Sequence, residues 1–237
     1  MAGSTRINIS VVDDTTGKQY RFNMPGAPMT TAEWQACVHE LVDRPTPSYL
    51  VLSGSLPPGV PAEFYSYVIK AFEGTSCRIL LDTSGKALQM AIRRHVFLLK
   101  PNLRELGELA GQPITHEEDV VIQSRRLVEN GVADAIVVSL GVAGAMLITK
   151  DFVEHVYAPL VPTRSRIGAG DSMVAGLTWS LAQGRPLSQA VQFGVAAGTA
   201  AVMRPGTELS RRDDTERLYE SMMRSQSNTT TCIQYSP

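Results

Sequence analysis

The sequence predicts an α/β fold built on a mostly parallel sheet with helices on both faces. Three observations predict it. From residue 31 onward, short apolar runs alternate with longer amphipathic ones. That is the rhythm of strands joined by helical crossovers, in which the strands are buried on both faces. Polar, glycine-rich segments follow nearly every predicted strand, where open α/β sheets bind their ligands. The chain has 237 residues, 43% hydrophobic and 19% charged, enough for one α/β domain with a sizeable core.

The N-terminus departs from this rhythm. Ile7, Ile9 and Val11 alternate with Asn8 and Ser10, and Tyr20 and Phe22 alternate with Arg21 and Asn23. The turn-rich residues 13–18 join the two runs, which predicts a β-hairpin. A hairpin alone is marginal in water, so further strands are expected beside it. Strands are predicted at 49–52, 78–81, 96–99, 135–138 and 145–149. Helices are predicted at 31–42, 62–73, 86–94, 103–110, 117–130, 171–183 and 188–203. The last is rich in alanine and glycine, which permits close approach of a neighbour or a ligand. The polar residues 225–237 read as a disordered tail.

Composition removes several function classes. A net charge of −1 leaves no basic stripe for nucleic acid and no polybasic patch for a membrane. No apolar run approaches a membrane span, and the first residues lack the apolar core of a signal peptide. Cys37, Cys77 and Cys232 are odd in number and show no metal-ligand spacing, so they read as reduced thiols of a cytoplasmic protein. Gly-x-x-x-x-Gly-Lys-Ser/Thr is absent, and no Gly-x-Gly-x-x-Gly follows a first strand. A P-loop enzyme and a dinucleotide oxidoreductase are therefore not expected.

The chemistry concentrates in four segments. Gly168-Ala169-Gly170-Asp171 opens directly into a predicted helix. Unpaired N–H groups at a helix start attract an anion, glycine lets the backbone approach it, and an aspartate there can take a proton from a hydroxyl. The same residues also read as an ordinary turn and a helix cap, which are commoner than anion holes. Lys100-Pro101-Asn102-Leu103-Arg104-Glu105 puts a cation at a strand end, able to face a polyphosphate. Asn102 and Glu105 stand at a spacing that either holds hydrated Mg²⁺ or forms a capping box. Ser139, Gly141 and Gly144 form either a nucleotide loop or a hairpin turn. Ser53-Gly54-Ser55-Leu56-Pro57-Pro58-Gly59 offers hydroxyls and amides to a sugar, or is simply a stiff strand-to-helix loop. Residues 82–85 read mainly as turn and cap. His39, His95, His116 and His155 are scattered and receive no role.

Taken together and in this order, these motifs resemble the ribokinase-like (PfkB) carbohydrate kinases over roughly residues 5–220. The segments Lys18-Gln19-Tyr20-Arg21-Phe22 and Met24-Pro25-Gly26 resemble the family's phosphosugar branch, the 6-phosphofructokinase type. The resemblance implies a Rossmann-type three-layer sandwich with a partial β lid. Residues 1–26 would be a lid remnant, 27–224 the kinase core, and 225–237 the tail. It implies ATP-dependent phosphorylation of a sugar phosphate, fructose 6-phosphate first. A tagatose-6-phosphate or fructose-1-phosphate kinase shares every motif. Asp171 would be the base, and Gly168, Ala169 and Gly170 the anion hole. Lys100, Asn102, Ser139, Gly141, Gly144, Val195 and Thr199 would bind the nucleotide, while Arg6, Gly54 and Ser55 would join Asp171 at the sugar phosphate. Mg²⁺ would be held through water by Glu105 and Asn102. K⁺ would sit at Ser165, Ile167, Ala201 and Gly206, although Arg204 and Glu208 depart from the family's pattern there. The family commonly runs to about 300 residues, and the resemblance would place the start of this chain inside the family's lid region. An inactive nucleotide-binding remnant is the alternative. Pairing of lids between subunits predicts a homodimer.

Overall fold

The computed structural model describes residues 5–13, 15–16 and 18–227. The chain divides into two compact units, Met1–Val96 and Phe97–Pro237.

The first unit opens with the predicted hairpin. Strands β1 (Asn8–Val12) and β2 (Gln19–Asn23) pair antiparallel, with Ile9 opposite Phe22 and Val11 opposite Tyr20. Residues 14 and 17 of the predicted connector lie outside the described residues. Helix α1 (Thr31–Val42) starts at a capping box in which Thr30 and Glu33 satisfy each other's backbone N–H groups. Strand β3 (Tyr49–Ser53), helix α2 (Phe64–Ala71), strand β4 (Arg78–Asp82) and helix α3 (Gly85–Ala91) follow. β3 and β4 are parallel, with Leu52 beside Leu81. Ile79, Leu80 and Leu81 are consecutive and all buried, the mark of a strand covered on both faces. Tyr65, Val68, Ile69, Phe72 and Leu88 complete this core.

Strand β5 (Val96–Leu99) stands at the boundary, and helices α4 (Leu103–Ala110) and α5 (Glu117–Glu129) follow. Strands β6 (Ala133–Ser139), β7 (Ala145–Thr149) and β8 (Val153–Val156) come next. They lie side by side in the order β5-β6-β7-β8. A parallel bridge from Asn102 to Ser139 aligns the ends of β5 and β6. β6 to β7 and β7 to β8 are antiparallel, in line with the hairpin reading of the loop between β6 and β7. The reason is length: residues 140–144 cannot make the crossover a parallel neighbour requires. β8 was not predicted, since Val-Glu-His-Val carries little apolar signal.

Helices α6 (Ala169–Ala182), α7 (Leu187–Val202) and α8 (Arg212–Ser227) finish the unit. A Cβ on Gly176 would lie 2.7 Å from that of Ala197, and one on Gly194 2.9 Å from the Met173 carbonyl. The small residues of α7 therefore serve contact with α6. α8 has a strongly polar sequence and was also not predicted. Exposed Arg212–Glu216 and Arg224–Glu220 pairs lace it at i,i+4, and Leu218 and Met222 are its buried anchors. It carries helix through Ser227, which corrects the expected tail at 225–227; residues 228–237 lie outside the described residues. Among the described residues no helix is long and apolar enough to cross a membrane.

Candidate active site

In the second unit, α6 begins two residues earlier than the sequence suggested. Gly168, at φ +72°, is its N-cap and offers no side chain to the helix start. The first intrahelical bond is donated by the Ser172 N–H to the Gly168 carbonyl at 2.8 Å. The Ala169, Gly170 and Asp171 N–H groups consequently lie before the helical ladder begins. Asp171 is thus not the cap. It occupies the third helical position, exposed, and among the described residues its carboxylate has no hydrogen-bond or ion-pair partner. The helix dipole favours an anion at this end.

Lys100, 5% exposed at the end of β5, stands against this helix start. A Cβ on Gly170 would lie 3.9 Å from its Nζ. The ammonium and the N–H groups therefore share one anion-attracting locus. Asn102 follows as the N-cap of α4: its side chain accepts from the Glu105 N–H at 2.9 Å, while Glu105 Oε2 accepts from the Asn102 N–H at 2.9 Å. Both residues are committed to the capping box. Direct coordination of Mg²⁺ would break that box, so these donors fit a cation held through water.

The Ser139 N–H donates to the Pro101 carbonyl at 2.9 Å, which brings the β5 end to the β6–β7 loop. In that loop Gly141 has φ +63° and Gly144 φ +94°. Gly144 has a packing reason of its own, because a Cβ there would lie 2.0 Å from the Val156 carbonyl oxygen. The hairpin reading of this loop is correct, and it does not displace the functional one. Val195 and Thr199 are buried on α7, and a Cβ on the intervening Gly198 would lie 3.0 Å from the Ala169 carbonyl. Ser165 Oγ donates to the Gly206 carbonyl at 2.6 Å and accepts from the Ile167 N–H at 3.2 Å, so these three positions converge. Ala201 is buried in the last turn of α7. Arg204 pairs with Asp214 of α8, and Glu208 lies 3.9 Å from Arg211.

In the first unit a pocket of about 560 Å³ is lined by Arg6, Ser55, Lys86, Met24 and the 56–60 loop, among others. Arg6 Nη1 donates to Ser55 Oγ at 3.0 Å. Gly54, at φ +91°, is locked from both sides. Its N–H donates to the Asp82 carbonyl at 3.0 Å, and its carbonyl accepts from Tyr65 Oη at 3.0 Å and Thr83 Oγ1 at 2.7 Å. Residues 82–83 thus brace the loop, a role beyond turn and cap. Burial, and then the charge of Asp82, pushes the Tyr65 phenol above its usual 10. Lys86 was missed by sequence reasoning, since a lone lysine in a helical run gives no signal.

Comparison with known proteins fits this arrangement. The family model described as "pfkB family carbohydrate kinase" matches residues 1–214. The chain is 39% identical over 221 residues to the ATP-dependent 6-phosphofructokinase isozyme 2 of Escherichia coli, covering 93% of this chain and 72% of that one. The crystal structure of that phosphofructokinase-2 in complex with potassium superposes with a TM-score of 0.88 at 38% identity, over 93% of this chain and 72% of that chain. The isozyme 2 enzyme of Mycobacterium tuberculosis is 41% identical over 222 residues, which are 93% of this chain but only 65% of that enzyme. A ribokinase of Thermotoga maritima, at 22% identity and TM-score 0.72, covers 93% of this chain and 71% of that one and shares the fold, so the architecture is ribokinase-like. The chain belongs to the pfkB family of carbohydrate kinases.

Proposed function

We propose that this chain transfers the γ-phosphoryl group of ATP to a sugar phosphate, converting fructose 6-phosphate to fructose 1,6-bisphosphate. The observation that carries it is the start of α6. There, N–H groups ahead of the helical ladder lie beside the Lys100 ammonium, and Asp171, whose carboxylate has no hydrogen-bond or ion-pair partner among the described residues, occupies the third helical position. Phosphoryl transfer asks for positioning and for stabilisation of charge on the moving group. Asp171 takes the proton of the acceptor hydroxyl as its oxygen bonds to the γ-phosphorus. The bond from that phosphorus to the β–γ bridging oxygen breaks, and ADP leaves. Gly168, Ala169 and Gly170 face the transferring group with backbone N–H groups. Lys100, Asn102, Ser139, Gly141 and Gly144 hold the nucleotide phosphates and sugar, and Val195 and Thr199 lie towards the base. Mg²⁺ supplies neutralisation of the phosphate charge when bound, and Asn102 with Glu105 would hold it through water.

The sugar phosphate is assigned to the first-unit pocket. Arg6 is oriented by Ser55, Gly54 fixes the loop, and Lys86 adds a second cation for a dianionic phosphate. The relatives named phosphofructokinase support this acceptor. The 1-phosphofructokinase of Bacillus subtilis is 34% identical, which makes fructose 1-phosphate the second candidate. Potassium is assigned to the loop where Ser165 and Gly206 bring oxygen atoms together. Residues 1–26 are read as lid and 27–224 as kinase core, with 225–227 continuing α8. The lid hairpin exposes Ile7, Ile9, Val11, Tyr20 and Phe22, a face suited to a second copy of the chain in a homodimer. Free Cys37 and Cys77 suit a reducing, cytoplasmic setting.

The test is ADP release with Mg-ATP and, in turn, fructose 6-phosphate, tagatose 6-phosphate and fructose 1-phosphate. Turnover greatest with the first supports the reading. Nucleotide binding without turnover on any of them supports the inactive remnant instead.

A further inference from the structure

We propose that His155 is the positioning residue of the β6–β7 loop, holding its backbone in the shape that receives the nucleotide. The inference rests on the reading of that loop as nucleotide-binding. His155 Nε2 lies 3.0 Å from the Ala143 carbonyl oxygen. A carbonyl only accepts, so Nε2 carries the hydrogen and donates it. The ring is packed: its side chain is 13% exposed, and the Tyr157 ring stacks on it at 3.9 Å between centroids and 19° between planes. Its other nitrogen, Nδ1, lies 3.8 Å from Glu117 Oε1 at the start of α5.

The register explains why this side chain reaches the loop. β7 and β8 pair Met146 with His155 and Ala145 with Val156, so the end of β8 runs beside the loop's exit. His155 and Val156 then engage consecutive loop residues. Gly144 lies flat against the Val156 carbonyl, where no Cβ fits, and Ala143 accepts from His155. Backbone bonds from the Leu140, Ala143 and Gly144 amides close the loop on itself, but side chains do little to hold it. It has two glycines at positive φ, its 3₁₀ turn (Gly141–Ala143) has no side-chain cap, and Val142 at its tip is 80% exposed. Among the described residues the His155 bond is the only side-chain hydrogen bond to its backbone. A loop that recognises phosphates through backbone groups acts only when those groups are held in place.

The test compares His155→Ala and His155→Gln with the parent chain. In the alanine variant the KM for ATP rises about 2- to 12-fold, the range expected for one net hydrogen bond. kcat and the KM for fructose 6-phosphate change less. In the ligand-free protein, hydrogen exchange quickens at the Leu140, Ala143 and Gly144 amides, which close the loop on itself. Glutamine, which keeps a donor, restores most of the ATP affinity. An unchanged KM for ATP, or equal losses for both substrates together with a lowered Tm, overturns the proposal. Unchanged exchange in an active enzyme overturns the latch itself. Quickened exchange in a chain whose parent binds no ATP overturns the nucleotide role through the reading it rests on.

Discussion

Replacing Asp171 with asparagine separates chemistry from stability more cleanly than any other change to this chain. The carboxylate is exposed and, among the described residues, accepts no hydrogen bond and joins no ion pair. Its structural contribution therefore reduces to its charge in the first turn of α6, about 0.3–1 kcal/mol at a helix N-terminus. For a chain of this size that is a Tm decrease of roughly 1–4 °C. The catalytic contribution expected of a general base is 10²- to 10⁴-fold in kcat. At about 1.36 kcal/mol per decade that is ~2.7–5.5 kcal/mol. The two effects differ severalfold in free energy, so one variant measured two ways decides between them. The assay is steady-state ADP release at saturating Mg-ATP and fructose 6-phosphate, paired with a thermal melt. A kcat reduced at least a hundredfold, with a Tm within a few degrees of the parent, is expected. A kcat within tenfold of the parent in a folded variant refutes Asp171 as the base.

Three further outcomes follow from the geometry. Arg6→Ala removes one of the two charged donors named for the first-unit pocket and raises the KM for the sugar phosphate about 10- to 100-fold, from ~1.5–3 kcal/mol for a charge-assisted bond, with the KM for ATP unmoved; equal changes in both constants would contradict the assignment. Tyr65→Phe loses hydrogen bonds to the Ser53 and Gly54 carbonyls and costs about 1–3 kcal/mol at neutral pH in urea melts. Because burial and Asp82 raise the folded phenol above 10, the unfolded phenol ionises first, so this stabilisation holds below about pH 10 and fades as pH climbs through the folded value; pH–stability curves for parent and variant that stay parallel above 10 would contradict it. Gly144→Ala places a Cβ against the Val156 carbonyl at positive φ and costs about 3 kcal/mol or more, a Tm decrease of at least roughly 6 °C, whereas an unchanged Tm would show that the loop is not packed there.

Much of this molecule was legible in its sequence because its signals are local. The consecutive apolar residues of β4 and β6, the Asn102–Glu105 box and the glycines at the start of α6 each act within a few residues of themselves. What was illegible depends on partners distant in sequence. α8 hides its apolar stripe in a strongly polar segment, and β8 earns its place only by pairing with β7. The antiparallel direction of β7 was implicit in the five residues of its connection, too few for a crossover. At the site, the sequence offered Asp171 as either cap or base, and Gly168, the N-cap three residues earlier, removes the cap reading. Lys86 and His155 gave no pattern at all, since each gains meaning only from the pocket or loop that the fold places beside it.

The central claim concerns where a phosphoryl group goes, and ³¹P NMR reads that directly. The 237-residue chain is incubated with Mg-ATP and fructose 6-phosphate, and the phosphomonoester resonances are followed alongside those of ATP. A second phosphomonoester, on the C1 hydroxyl, growing in step with ADP is the predicted result. Bound ATP with no new phosphomonoester, or ADP formed with only inorganic phosphate, would contradict the account.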